Sequence, residues 1–117
     1  LRTGNPVWTS YRAARIPTDP LTRDIKTGVL VVGMGISGAM IADALTEGGH
    51  DVVVIDRRGP MRGSTPATTA LVQYEIDVPL TRLAGMVGRE KAEAAWRRSR
   101  LAIANLAARL DELGIEC

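Results

Sequence analysis

Two short runs of apolar, mostly β-branched residues punctuate the chain, Val29-Leu30-Val31-Val32 and Val52-Val53-Val54-Ile55. Neither alternates with polar residues, so each predicts a strand buried on both faces, as in a parallel sheet. Between them a glycine-rich turn, Gly33–Gly38, leads into a helix running to about Glu47. Ile36, Met40, Ile41, Ala44 and Leu45 fall on one face of that helix, and Asp43 and Glu47 on the other. Gly48-Gly49 supplies a left-handed stop. Strand, helix and strand together take about 27 residues, the size of a βαβ unit.

Downstream, residues 57–65 read as a loop rich in Gly, Pro and Arg. Pro66 suits the first position of a short helix, with Ser64 or Thr65 as its cap. Gln73–Leu80 reads as extended chain or loop. From Arg89 to Leu113 the pattern predicts a long helix, because Trp96, Ser99, Ile103, Leu106, Leu110 and Leu113 recur at spacings of three and four. Gly114 ends it, and Ile115 reads as the start of another strand. Residues 1–27 are polar and broken by Pro6, Pro17 and Pro20, which predicts an extended arm. Trp8 and Tyr11 are its candidate anchors to a body elsewhere.

The composition narrows the class. A chain of 117 residues has room for one domain. Aromatic residues make up 3% and Phe is absent, so the core must come from Val, Ile, Leu, Ala and Met. Fifteen Lys and Arg face thirteen Asp and Glu, for a net charge of +2. With no basic stripe interleaved with aromatics, a nucleic-acid partner is not expected. The single cysteine, Cys117, excludes an internal disulfide and a multi-cysteine metal site, and the single histidine, His50, leaves no His cluster. No metal is expected, and a reducing, cytoplasmic setting fits. The apolar runs fall far short of the about 20 residues that cross a bilayer, so no membrane span is expected. The opening Leu-Arg-Thr-Gly-Asn-Pro lacks the apolar stretch of a signal peptide. A chain that starts on Leu and stops at Cys117 reads as processed, trimmed or incomplete.

The chemistry centres on Gly33-Met34-Gly35-Ile36-Ser37-Gly38. A GxGxxG match is weak alone, but here it follows a buried strand and opens a helix. Gly33 permits the tight turn, Gly35 lets backbone approach a pyrophosphate, and Gly38 lets the helix pack on the strand. The helix N-terminus offers free N–H groups, among them those of Ile36 and Ser37, and positive dipole to an anion. Asp56, at the end of the second strand and about 20 residues beyond the motif, stands where a carboxylate accepts ribose hydroxyls. It would repel a 2′-phosphate, although Arg57 and Arg58 blur that argument. The plainer alternative makes Gly33–Gly38 a tight turn and Asp56 a turn residue. Gly63, Ser64, Thr65, Thr68 and Thr69 bring small size, hydroxyls and N–H groups near a second helix start, which suits an anion or a polyol chain as well as plain capping. Arg89, Lys91, Arg97, Arg98 and Arg100 read as a solvated helix face, and His50 as a surface residue.

Val31 through Asp56 resembles the FAD-binding fingerprint of the D-amino-acid-oxidase-like (DAO) superfamily of FAD-dependent oxidoreductases. The residues that carry the resemblance are Gly33, Gly35, Gly38, Ala42, Leu45, Gly49, Val52, Val54 and Asp56. The family's commoner acid is Glu, so Asp56 departs mildly. The likeness continues through Arg57–Ala70, where a Gly-Ser-Thr segment, here Gly63-Ser64-Thr65, caps a helix aimed at the cofactor. The resemblance implies an α/β fold, the N-terminal part of a Rossmann-like doubly wound FAD-binding domain with a β-α-β unit plus later helices, incomplete within residues 28–117. It implies FAD as cofactor and an amine, amino acid or hydroxy acid as substrate of the full-length protein. It puts no catalytic residue in this chain; those lie beyond Cys117. An NAD-dependent dehydrogenase unit and a non-catalytic nucleotide-binding fragment stay open as alternatives.

Overall fold

The computed structural model describes residues 4–11, 15–75 and 77–116. Cys117 lies outside them. The chain divides into two compact units, residues 1–69 and 70–117.

In the first unit, Val29–Val32 forms β1 and Val52–Ile55 forms β2, with the helix α1 (Ile36–Glu47) between them. The strands pair in parallel, Val29 opposite Val52 and Val32 opposite Ile55. This is the right order for a βαβ unit, and among the described residues the sheet has two strands. Val31 faces α1 and is 8% exposed. The helix comes down on it through small side chains: a Cβ built at Gly38 would lie 3.7 Å from Val31 Cγ1. Gly38, Ala42 and Leu45 are half-buried, whereas Ile36, Met40 and Ile41 are exposed. Of the apolar face expected from the sequence, Leu45 alone is half-buried while Ile36, Met40, Ile41 and Ala44 are exposed, because close packing on β1 brings Gly38 and Ala42 down first. Gly49, at φ +77, ends α1, and the N–H groups of Gly49 and His50 donate to the carbonyls of Thr46 and Leu45. That is the paired-bond cap that satisfies orphan carbonyls.

The arm is not a free strand. Val7–Ser10 forms one 3-10 turn, a departure from the expected extended chain. Trp8 stacks on Tyr11, and its Nε1–H donates to the Thr68 carbonyl at 2.7 Å. The anchor thus lies within the same unit. Leu21 and Ile25 share a groove with Leu30, Val53 and Ile55, so the arm runs along the sheet face opposite Val31. The expected helix at Pro66 is a single 3-10 turn, Thr65–Ala67, with neither Ser64 nor Thr65 bonding to it as a side-chain cap.

In the second unit, α2 (Leu80–Val87) precedes α3 (Arg89–Glu112) across Gly88, whose φ of +88 turns the chain. α2 was not expected. Leu80, Leu83, Ala84 and Val87 do form a helical stripe, but Pro79 at its start and Gly85 inside it obscure the pattern. Ala92 of α3 is fully buried. The α3 stripe of Trp96, Ser99, Ile103, Leu106 and Leu110 is half-buried, with Tyr74 edge-on to Trp96. Arg89 and Arg97 pair with Glu93 on the solvated face. Ile115 starts no strand; its N–H caps α3 at the Leu110 carbonyl, with Gly114 at φ +64. No helix among the described residues is long and apolar enough to cross a membrane.

The contrast between two glycines is measurable. A Cβ at Gly38 would meet the Gly33 carbonyl oxygen at 1.9 Å, while one at Gly85 would meet nothing within 4 Å. Gly38→Ala should therefore destabilise the protein by about 1–3 kcal/mol or more. Gly85→Ala, in an open helix interior, should stabilise it by about 0.4–1 kcal/mol. Urea midpoints of the full protein would check both signs.

Candidate functional site

The glycine turn is built around the end of β1. Gly33 leaves the strand at φ +115, a conformation L side chains rarely adopt, while its N–H still donates to Ile55 at 2.7 Å. Gly35 is the N-cap of α1, in extended conformation and with no side chain to cap the helix itself. The cap comes from another loop: Thr65 Oγ1 accepts the Ile36 N–H at 3.0 Å. A Cβ at Gly35 would stand 2.9 Å from that hydroxyl oxygen. Ser37 and Gly38 follow in the first turn, where N–H groups have no intrahelical acceptor.

A groove of about 450 Å³ opens here, lined by Val32, Gly33, Gly35, Ile36, Ser37, Gly38, Ser64, Thr65 and Thr68. Eight of the sequence-nominated site residues meet in it. First-turn N–H groups, a helix dipole, small residues and four hydroxyl side chains, Ser37, Ser64, Thr65 and Thr68, make a chemically consistent anion cradle. The space that a side chain at position 35 would fill is what backbone approach by a phosphate requires, while Gly38 lets α1 close against the Gly33 carbonyl, so these residues fit a dinucleotide pyrophosphate.

Asp56 does not line that groove. Its Oδ2 accepts the Met34 N–H at 2.9 Å, and its Oδ1 accepts the N–H groups of Arg58 and Gly59 at 2.6 and 3.1 Å. The carboxylate thus ties the glycine turn to the loop after β2. The Met34 N–H holds its pKa below the usual carboxylate range, helped by the Arg58 and Gly59 N–H groups and the Arg58 charge, with partial desolvation opposing. Asp56 and Arg58 line a second groove, of about 470 Å³, together with Met34, Gly59 and the arm segment Pro17–Pro20. Gly63 instead lines a third, of about 590 Å³, between the Trp8 turn and Pro66–Thr68. Arg57 and Thr69 are exposed and line none of the three.

Three contributions are not legible in the sequence, although Thr65 itself is nominated there. Thr65 acts as the cap of α1 rather than of its own turn. Met34 presents a backbone donor, to which its side-chain identity gives no clue. The arm reaches the Asp56 groove, and no local pattern signals that placement.

The sequence profile of the family described as FAD dependent oxidoreductase (DAO) matches residues 28–117. A protein of Bacillus subtilis (strain 168) named as a Rieske 2Fe-2S iron-sulfur protein, YhfW, is 30% identical over 103 residues, covering 87% of this chain and 20% of that protein. The chain therefore spans about a fifth of that relative's length. No solved structure matches.

The bonds to Asp56 also set a pH dependence. A carboxyl with a lowered pKa in the folded chain stabilises the fold fully above its unfolded pKa of about 4. That contribution is lost as pH falls through the lower folded value. Asp56→Asn should thus be less stable than wild type at pH 7, and the gap between their urea midpoints should narrow below about pH 4. A gap independent of pH would mean that the carboxylate charge contributes nothing.

Proposed function

Because the chain belongs to the DAO family of FAD-dependent oxidoreductases, we propose that its glycine turn holds the pyrophosphate of FAD in an enzyme that oxidises a small amine, amino acid or hydroxy acid. The observation that carries this reading is the groove at the start of α1. Two first-turn N–H donors, the Thr65 hydroxyl and two cradle glycines converge on it. In this reading residues 28–117 are the N-terminal portion of a Rossmann-like, doubly wound domain, and residues 1–27 are an arm attached to it.

Each residue then has a physical task. Ser37 and Gly38 donate backbone N–H groups to phosphate oxygens, under the positive end of the α1 dipole. The Thr65 hydroxyl, already accepting from Ile36, has its own proton free to donate to the same anion. Ser64 and Thr68 add hydroxyls along the wall. Asp56 meets the ribose of the adenosine half, with Arg58 beside it in the second groove. Gly63 keeps the loop before Thr65 free of side-chain bulk. Arg57 and Thr69 stay at the margin, open to the remainder of the cofactor. The bound flavin would supply a hydride acceptor; this chain's residues bind and orient it.

The Rieske centre in the relative's name needs two cysteines and two histidines. Residues 1–117 hold one of each, Cys117 and His50, so the stretch shared with that relative is suited to the dinucleotide and not to the cluster.

Two substitutions in the full protein test the reading. Gly35→Val puts a branched side chain into the cradle and should abolish FAD retention, seen as loss of the flavin absorbance of the purified protein. Normal retention would remove the cradle. Asp56→Ala should weaken FAD and ADP alike, by about ten- to a hundred-fold. A loss for FAD with none for ADP would take Asp56 away from the ribose.

A further inference from the structure

The second groove has a wall that the dinucleotide fold does not require. The segment Pro17-Thr18-Asp19-Pro20, upstream of β1, lines it together with Met34, Val54 and Asp56. Ten residues before the sheet begins, the arm has thus returned to the carboxyl end of β2. Its course explains how: Leu21 and Ile25 lie along Leu30, Val53 and Ile55, and Thr27 Oγ1 donates to the Asp51 carbonyl at 3.0 Å. The arm is fastened at the start of β2 and runs to its end.

From this juxtaposition we propose that the arm forms the base-side wall of a purine nucleoside subsite. The inference rests on the dinucleotide reading and adds to it the element that recognises the base. Asp56 lines the groove and would take the ribose diol. The same groove is lined by Pro17 and Pro20 from the arm and by Met34 and Val54 from the βαβ unit, apolar residues suited to a flat base. Thr18 and Asp19, also in the lining, bring acceptors for an exocyclic amine. The two prolines fix φ on either side of Thr18-Asp19, so little backbone freedom is lost when a base is clasped. The groove, at about 470 Å³, lies within the range of small-ligand sites.

The test uses the full protein freed of its flavin, titrated calorimetrically with ADP and with ribose 5-diphosphate, which lacks the base. Wild type should bind ADP more tightly. Pro17→Gly/Pro20→Gly should weaken ADP about tenfold, through lost apolar contact and lost rigidity. It should leave ribose 5-diphosphate within about twofold of wild type. Asp19→Ala, an exposed substitution that does not threaten folding, should move in the same direction by a smaller factor. Unchanged ADP affinity in both variants overturns the arm's role while leaving the dinucleotide reading intact. An equal loss of ADP and ribose 5-diphosphate also overturns it, because the arm would then be supporting the fold and not meeting the base. If wild type binds neither ligand, the dinucleotide reading fails and takes this inference with it.

Discussion

α1 can approach β1 only because position 38 has no side chain. A single methyl group there would lie 1.9 Å from the Gly33 carbonyl oxygen and 2.9 Å from its carbonyl carbon. Backbone cannot yield to a clash of that size without reopening the turn. The approach in turn demands that Gly33 leave the strand at φ +115, a second position where L side chains are strained. With both glycines in place the helix begins within one turn of the strand's end, and its first N–H groups open beside the end of the sheet. Val31 becomes buried, Ala42 and Leu45 follow it down, and Thr65 comes within reach of Ile36. The site is a consequence of that packing distance.

The Asp56 carboxylate fixes the same corner from the other strand. Two roles were opposed for it, turn residue and ribose acceptor, yet the geometry makes them compatible. Three backbone donors occupy it, two on Oδ1 and one on Oδ2. A carboxylate offers about four lone-pair directions, so Oδ2 keeps one for a further donor. The structural bonds orient the group, and an oriented, ionised acceptor binds a hydroxyl with less loss of freedom than a swinging side chain would.

What was legible in the sequence is what local chemistry decides. The two strands end where the β-branched runs end, and α1 spans Ile36–Glu47 because glycines bracket it. The stop at Gly48-Gly49 resolves into Gly49 alone in the left-handed region. Misreadings arose where a residue's partner lies far along the chain. Thr65 reads as a cap for the turn that follows it, but its hydroxyl serves a helix 29 positions upstream. Ile115 reads as strand on its side chain, whereas its N–H closes α3. The apolar stripe of α1 reads by hydrophobicity, whereas Gly38 and Ala42 share the packed side with Leu45 alone of that stripe. Within the candidate site, the glycines and the Ser64–Thr68 hydroxyls converge as their spacing suggests. Arg57, Gly63 and Thr69 fall elsewhere, because a loop's path is set by contacts and not by periodicity.

The arm is a weakly covered element. Leu21 and Ile25 rest along the sheet, yet Leu30 remains 53% and Val32 76% exposed, so the apolar area removed from water there is small. Trp8 contributes one hydrogen bond, to the Thr68 carbonyl. Such an element is held by a modest free energy, and anything that touches both it and the body adds to that hold. The Asp56 groove is the place where a ligand would do so, since its walls come from the arm and from the end of the βαβ unit. By linkage the arm would tighten around a bound nucleoside as much as the nucleoside is tightened by the arm. The third groove lies at a similar junction, between the Trp8 turn and the loop that carries Thr65. Among the described residues, the Trp8 turn is bonded to the loop that carries Thr65, and Thr65 in turn caps the helix that opens at the glycine turn.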